Sequence, residues 1–405
     1  MAVATKFLLE PACDPANWAL DPNVTFLNHG AFGACPKSVL AAQTEWRARL
    51  ERQPVQFLVR ELEKHWDAAR GALAQFVGAE AEDLVFAPNS TTGVNTVLRA
   101  LEFQPGEELL VTNQAYNACR NALDYVADRS GATVVVADLP FPLRNEDDLV
   151  GPILERATKR TRLALLDHVT SPTGVVIPMA RLVNELARRN VDTLVDGAHA
   201  PGMIPLHLKQ LGAAYYTGNC HKWMCAPKGA AFLHARRDKK QNIRPLTISH
   251  GANSLRTDRS RFLLEFGWMG TGDPSACLSV MEALRFMESA LPGGWPQVMQ
   301  RNRALALGAR EILCRVLRIQ EPCPAEFIGS MAAVPLPDAA PDALKGKIIA
   351  EYPLQDKLRT QYSIEIPIIP WPAPPKRVLR LSAQLYNSLP QYEHLTRALT
   401  LELGL

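Results

Sequence analysis

Short, largely apolar runs of strand-like sequence alternate with helix-like segments through the middle of this chain. That alternation constrains the fold more than any other feature of the sequence. The runs fall at residues 109–111, 133–136, 162–166 and 193–195, each followed by polar residues or by Gly and Pro. Between them lie segments of helical spacing, such as residues 179–189 with Leu182, Val183, Leu186 and Ala187 on one face. A strand apolar on both faces needs cover on both faces. The pattern therefore predicts an α/β fold, a mostly parallel sheet between helical layers. In such sheets ligands collect at the carboxyl ends of the strands.

The character changes after about residue 275. A helix is expected over 276–289, Pro292-Gly293-Gly294 breaks it, and a second is expected over 296–316. Shorter elements follow: strands at 327–334, 364–369 and 378–381, and a helix at 344–352. The proline-rich stretch 367–375 is expected to be a loop, because proline cannot donate to a sheet ladder. This organisation predicts an irregular arm (1–24), a large domain (25–290) and a smaller C-terminal α+β domain (291–405).

Charge and composition remove several classes of function. The 405 residues carry 44 Lys and Arg against 41 Asp and Glu, a net charge of +3, so no large nucleic-acid surface is expected. No apolar run approaches the ~20 residues that span a bilayer, and the first residues lack the apolar core of a secretory signal. The expectation is a soluble, cytoplasmic protein with no membrane partner. The eight cysteines form no CxxC pair and stand beside no histidine pair with zinc spacing, so they are expected as reduced thiols with no metal. GxGxxG and GxxxxGK[ST] are both absent, which argues against dinucleotide and P-loop folds.

Three segments could carry chemistry. Asn219-Cys220-His221-Lys222 follows an apolar, aromatic run. Lysines are rarely buried unless paired, and a desolvated lysine becomes a nucleophile able to form a Schiff base. The alternative is a surface lysine in a loop. Asp196-Gly197-Ala198-His199 directly follows a buried-type strand, where a carboxylate could hold a protonated ring nitrogen, or could cap a helix. Asn89-Ser90-Thr91-Thr92-Gly93 follows another strand, where hydroxyls and N–H groups at a helix start suit a phosphate or a plain N-cap.

The order of the three pieces, with Phe26 to Gly33, Ala115-Tyr116-Asn117-Ala118, His168 to Gly174, Gly270-Thr271 and Arg380-Leu381-Ser382, resembles the class V aminotransferase-like enzymes of pyridoxal phosphate fold type I. Within them the chain resembles the isopenicillin N epimerase-like group, which also contains C–S lyases. The resemblance implies pyridoxal 5'-phosphate as cofactor, bound covalently by Lys222, which would then shuttle the proton at the substrate α-carbon. Asp196 would hold the pyridine nitrogen, with His199 and Ser171 near the ring oxygen. Ser90, Thr91 and Thr92 would cradle the phosphate, with Asn219 and His221 on its other side. Tyr116 would lie over the ring face and is a candidate second acid. Thr271 would reach the phosphate of a neighbouring subunit, which implies a homodimer with shared sites. Arg380 would grip the carboxylate of a small amino-acid substrate, and Asn28 and His29 would line the mouth. His168 is expected to be structural.

The resemblance leaves the reaction open. Epimerisation needs a second acid on the opposite face, lyase chemistry a sulfur leaving group, and transamination a proton delivered to the cofactor carbon. A persulfide relay of the desulfurase type is not expected, because the last cysteine, Cys323, lies far ahead of Arg380. A fold that binds the cofactor without turnover is the remaining alternative. The intact set of Lys222, Asp196 and Arg380 argues against it.

Overall fold

In the computed structural model, which describes residues 8–340 and 352–405, the apolar runs become strands and the periodic segments become helices. A short strand β1 (Thr25–Phe26) comes first. There follow β2 (Leu84–Ala87), β3 (Glu108–Thr112), β4 (Thr133–Ala137), β5 (Thr161–Asp167), β6 (Asp192–Asp196), β7 (Tyr215–Asn219) and β8 (Ala231–Ala235). Strands β2 to β8 form one sheet in the order β2-β8-β7-β6-β5-β3-β4. Pairings from β7 through to β4 are parallel, and β8 is antiparallel to both its neighbours.

Consecutive side chains of a strand point to opposite faces, and here both faces are apolar. Leu163, Leu165, Leu194 and Tyr215 pack into the core under the helices Ser90–Ala100 and Asn117–Ser130. Their neighbours Ala164, Leu166, Val195 and Tyr216 face the opposite core, which includes the helices Asp147–Arg156 and Met179–Arg188. Each fully buried leucine contributes about 1.5–3 kcal/mol relative to exposure. Such double cover fixes register tightly, because a one-residue slip would exchange the two faces.

The remaining strands are β9 (Met331–Leu336), β10 (Ile364–Glu365), β11 (Ile368–Pro370) and β12 (Arg377–Ser382). They form an antiparallel sheet in the order β11-β12-β9, while β10 pairs in parallel with β1. The long helix Gly294–Leu317 packs on β9 and on the C-terminal helix Leu389–Leu403. The described part of the N-terminal arm leans on this end of the chain. Ala12 N donates to Leu385 O at 2.8 Å, Leu389 N donates to Leu8 O at 2.8 Å, and the Trp18 ring is buried.

Three expectations need correction. The stretch 367–375 is not all loop, since Ile368–Pro370 pairs with β12 as an edge strand. An edge strand needs hydrogen bonds on one side only, so a terminal proline is tolerated there. The strand expected at 327–334 begins later, at Met331, because Ala325–Phe327 forms a helical turn first. The segment 364–369 is two short strands, β10 and β11, rather than one. The helix expected at 344–352 falls, apart from Tyr352, outside the described residues. Tyr352 itself is the N-cap of a helix over Pro353–Tyr362. No helix of the described residues is long and apolar enough to cross a membrane.

Candidate active site

The carboxyl ends of β2, β3, β5, β6 and β7 point to the same edge of the sheet. Because β8 alone is reversed, its beginning lies at that edge too. The loops there enclose a cavity of about 400 Å³, whose lining includes Ser90, Tyr116, Ser171, Asp196, His199 and Lys222. Thr91, Asn219 and His221 also line it. Residues distant in sequence thus meet because each ends a strand of one sheet.

Lys222 stands just beyond β7 in a tight turn closed by Cys225 N donating to Lys222 O at 3.0 Å. Burial, and then the positive charge of Arg380, push its amine down from 10.5 to about 7. Its Nζ lies 3.0 Å from His199 Nε2. A second segment presses on this turn. A Cβ on Gly33 would stand 2.0 Å from the His221 carbonyl oxygen, and Gly33 has φ +70°. Only glycine allows that approach, which accounts for the final glycine of the 28–33 segment.

Asp196 ends β6 with its carboxylate turned into the cavity wall. Oδ1 accepts from Ala198 N at 3.0 Å, and Oδ2 accepts from the Cys119 thiol at 3.1 Å. Its register partner on β5 is Asp167, also buried and also lining the cavity. Burial, and then the charge of Asp196, hold the Asp167 carboxyl well above the usual range, while its carboxyl receives the Tyr116 backbone N–H. Burial raises Asp196 as well, but hydrogen bonds from Cys119 and Ala198 oppose the rise. Adjacent buried carboxyls disfavour each other's ionisation, so Asp167 holds its proton more strongly and Asp196 ionises more readily.

At the other end, Asn89 caps the helix Ser90–Ala100 by accepting from Thr92 N at 2.8 Å. Asn219 Oδ1 accepts from Ser90 N at 2.9 Å, tying β7 to the helix start. The Ser90 hydroxyl is buried with no hydrogen-bond partner. A buried hydroxyl left unpaired at a helix N-terminus calls for an acceptor, and a phosphate oxygen supplies one. Ser90 and Thr91 therefore fit a phosphate. The Thr92 side chain is turned instead to Asn89 Oδ1 at 3.1 Å and is not part of the lining.

Arg380, on β12, is buried and donates to the backbone oxygen of Ser171 and to its Oγ at 3.3 Å. Burial lowers its guanidinium to about 10. Among the described residues no carboxylate pairs with it, and its Nε is unpartnered. An unpaired buried guanidinium fits an incoming carboxylate. It stands behind Ser171 rather than in the cavity lining itself.

Other expected residues are placed elsewhere. His29 is wholly enclosed, with Nδ1 2.8 Å from Tyr386 Oη and Nε2 3.0 Å from the Lys222 carbonyl oxygen. It braces the Lys222 turn from behind and does not line the mouth. Burial lowers its pKa to about 3, so it is neutral. Asn28 donates to Glu365 at 3.0 Å and is likewise outside the lining. Phe32 and Ala31 of the same segment do reach the cavity. Tyr116 lines it with its side chain half exposed, and Thr271 is exposed and outside it. His168 is buried with Nδ1 2.9 Å from Tyr216 Oη, a structural contact.

Three residues escaped the sequence reading: Asp167, Cys119 and Lys228. Asp167 ends a strand as Asp196 does, so the same rule would have found it. Lys228 lines the cavity and donates to Gly33 O at 3.0 Å. Cys119 carries no sequence signal, because its contact with Asp196 is made across the fold. No thiol lines the cavity among the described residues.

The family model described as aminotransferase class-V matches residues 26–347. Isopenicillin N epimerase from Amycolatopsis lactamdurans is 35% identical over 94% of this chain and 96% of its own length. A probable chloroplastic L-cysteine desulfhydrase from Arabidopsis thaliana is 32% identical over 94% of this chain and 83% of its own length. Among solved structures, a variant of the protein C-DES with glycine covalently linked to its pyridoxal phosphate cofactor has a TM-score of 0.76 at 22% identity, covering 93% of this chain and 96% of that one. A cysteine desulfurase from Escherichia coli has a TM-score of 0.75 at 20% identity, covering 96% and 97%. The family model covers most of the chain, two relatives at 35% and 32% identity match nearly all of it, and the chain therefore belongs to the class V aminotransferase family of pyridoxal phosphate-dependent enzymes.

Proposed function

We propose that this enzyme moves the α-proton of an amino-acid substrate and returns it to the carbon, as an epimerase or racemase. The observation that carries the reading is that the Lys222 amine, buried and pushed down to about 7, and the Tyr116 side chain line one cavity. One basic group can remove the proton, and a second group with an exchangeable hydrogen can supply one. When bound, pyridoxal phosphate provides the electron sink that makes the α-proton acidic. Lys222 takes that proton at Nζ. Tyr116, half exposed at the rim, offers its hydroxyl hydrogen. Asp196 would hold the ring nitrogen, where a facing cation would favour its ionised form. Ser90, Thr91, Asn219 and His221 would hold the phosphate, His199 and Ser171 would serve the ring oxygen, and Arg380 would orient the substrate carboxylate. The 35% identity to an isopenicillin N epimerase over nearly the whole chain supports this reading.

A C–S lyase acting on a cysteine-derived substrate is the second reading, supported by the 32% identity to a probable cysteine desulfhydrase. Direct elimination of sulfur needs no enzyme thiol, and among the described residues none lines the cavity.

We also propose a homodimer in which Thr271 serves the partner's site. Its support is a set of exposed apolar side chains, Val55, Val59, Ile248 and Leu255, the last 96% exposed. A cytoplasmic location fits eight cysteines that are all free.

The test is incubation with a panel of L-amino acids and cysteine conjugates in heavy water, with products read by mass and chirality. An intact carbon skeleton carrying deuterium at the α-carbon in both enantiomers supports the epimerase. A keto acid released with a free thiol overturns it in favour of the lyase.

A further inference from the structure

His199 is enclosed just beyond the end of β6, between two nitrogen groups. Its Nε2 lies 3.0 Å from Lys222 Nζ, and its Nδ1 lies 3.4 Å from the indole Nε1 of Trp223. An indole N–H can only donate, so Nδ1 must accept and carries no proton. The ring is also neutral. Burial, then the charges of Lys222 and Arg380, hold its pKa well below the ordinary value. A neutral imidazole with an accepting Nδ1 carries its one hydrogen on Nε2.

Both partners are fixed by packing. Trp223 is wholly buried and rests on the His29 ring, centroids 4.9 Å apart. A Cβ on Gly202, in the loop after His199, would stand 2.6 Å from the Trp223 carbonyl carbon, so the two main chains are pressed together. Among the described residues, Trp223 is the donor that reaches His199 Nδ1.

We propose that Trp223 is a positioning residue that sets the tautomer of His199: its indole N–H occupies Nδ1, and the imidazole hydrogen is presented from Nε2 to the Lys222 amine. The Lys222 nitrogen can receive that hydrogen only through a lone pair, which it has only as a neutral amine. Trp223 thus acts through His199 to favour the nucleophilic form of Lys222. Other groups act on Lys222 in both directions: the charge of Arg380 disfavours its protonation, while the Asp196 carboxylate favours it. Around His199 the charge of Arg380, and that of Lys222 when it is protonated, oppose a second ring proton, while burial keeps the neighbouring His29 and His221 rings neutral.

The inference rests on Lys222 as the amine that takes up the cofactor, but its test uses cofactor-free protein. The ring nitrogens of His199 are read by nitrogen NMR of histidine-labelled protein, assigned by the signal lost in His199→Gln. The expected spectrum is the Nε2–H tautomer. Trp223→Phe keeps the apolar bulk and deletes the donor, so the Nδ1–H form should gain population. In the same variant the midpoint for acetylation of Lys222, read by trace labelling and peptide mass spectrometry, should rise by about half to one pH unit, the equivalent of one hydrogen bond. An Nδ1–H tautomer in the wild type overturns the proposal, whatever Trp223→Phe does. An unchanged tautomer and midpoint in folded Trp223→Phe also overturn it. If the tautomer is as expected but the protein turns over no amino acid, the proposed function fails and this inference stands.

Discussion

Replacing Lys222 by methionine in the cofactor-free protein should stabilise the fold, and by an amount that depends on pH. The wild-type amine is pushed down from 10.5 to about 7 in the folded state. The unfolded chain binds a proton there that the folded chain resists, so stability rises with pH across that window. The penalty is fully present below about pH 7 and is relieved as pH climbs towards 10.5. At pH 6 it amounts to roughly 5 kcal/mol, and at pH 9 to roughly 2 kcal/mol. Methionine matches the apolar stem and cannot be protonated, so the variant lacks the penalty at every pH. The lost His199 contact and the altered packing add a constant that does not vary with pH. The quantity to measure is therefore the stability difference between variant and wild type, from urea unfolding at several pH values. It should shrink by about 3 kcal/mol between pH 6 and pH 9. A difference that stays level across that range would refute the reasoning, because it would mean that Lys222 titrates as an ordinary exposed lysine.

Other perturbations separate the roles of neighbouring groups. Gly33→Ala should cost about 1–3 kcal/mol in backbone strain alone and weaken cofactor binding measured by absorbance, since its Cβ would meet the Lys222 turn. Gly71→Ala, inside the helix Leu62–Phe76 with open space around it, should instead stabilise by about 0.5–1 kcal/mol in the same unfolding assay. Asp196→Asn should lower kcat by ~10² or more, while Asp167→Asn, which copies a protonated carboxyl, should stay within a few-fold of wild type. Equal losses in steady-state assays would contradict the assignment of the charge to Asp196. Arg380→Lys should raise KM for the amino acid by ~10-fold or more, because lysine cannot copy the planar fork.

The parallel sheet was legible because double cover makes its strands apolar throughout, and the residues beyond their ends followed from the same logic. Lys222, Asp196 and Ser90 could be picked out as strand-end residues before any contact was known. The residues that could not be read are those whose roles depend on crossing the fold. His29 sits in a segment that points to the site, yet its ring turns behind the Lys222 turn because Tyr386 and the Lys222 carbonyl satisfy both of its nitrogens. The Cys119 thiol reaches Asp196 from the helix after β3, a contact no spacing encodes. In the C-terminal part the strands are short and their pairing is set by tertiary partners, as with β1 and β10, so the local pattern placed them less accurately.

The charge balance of the cavity explains why these residues occur together. With Asp167 protonated, Asp196 is the carboxylate in the wall, and it already accepts two hydrogen bonds. Against it stand the Arg380 guanidinium, the Lys228 ammonium and a Lys222 amine poised near neutrality. Such a cavity carries more positive than negative charge and has an unpaired hydroxyl at a helix N-terminus. Its chemistry suits the proposed anions at two places, a phosphate near the unpaired Ser90 hydroxyl and a carboxylate near the Arg380 guanidinium. The Lys222 amine, pushed down to about 7, lines the same cavity as Ser90. A ligand that brings one anion to each end places its reacting carbon beside Lys222, and amino-acid chemistry on pyridoxal phosphate meets that condition.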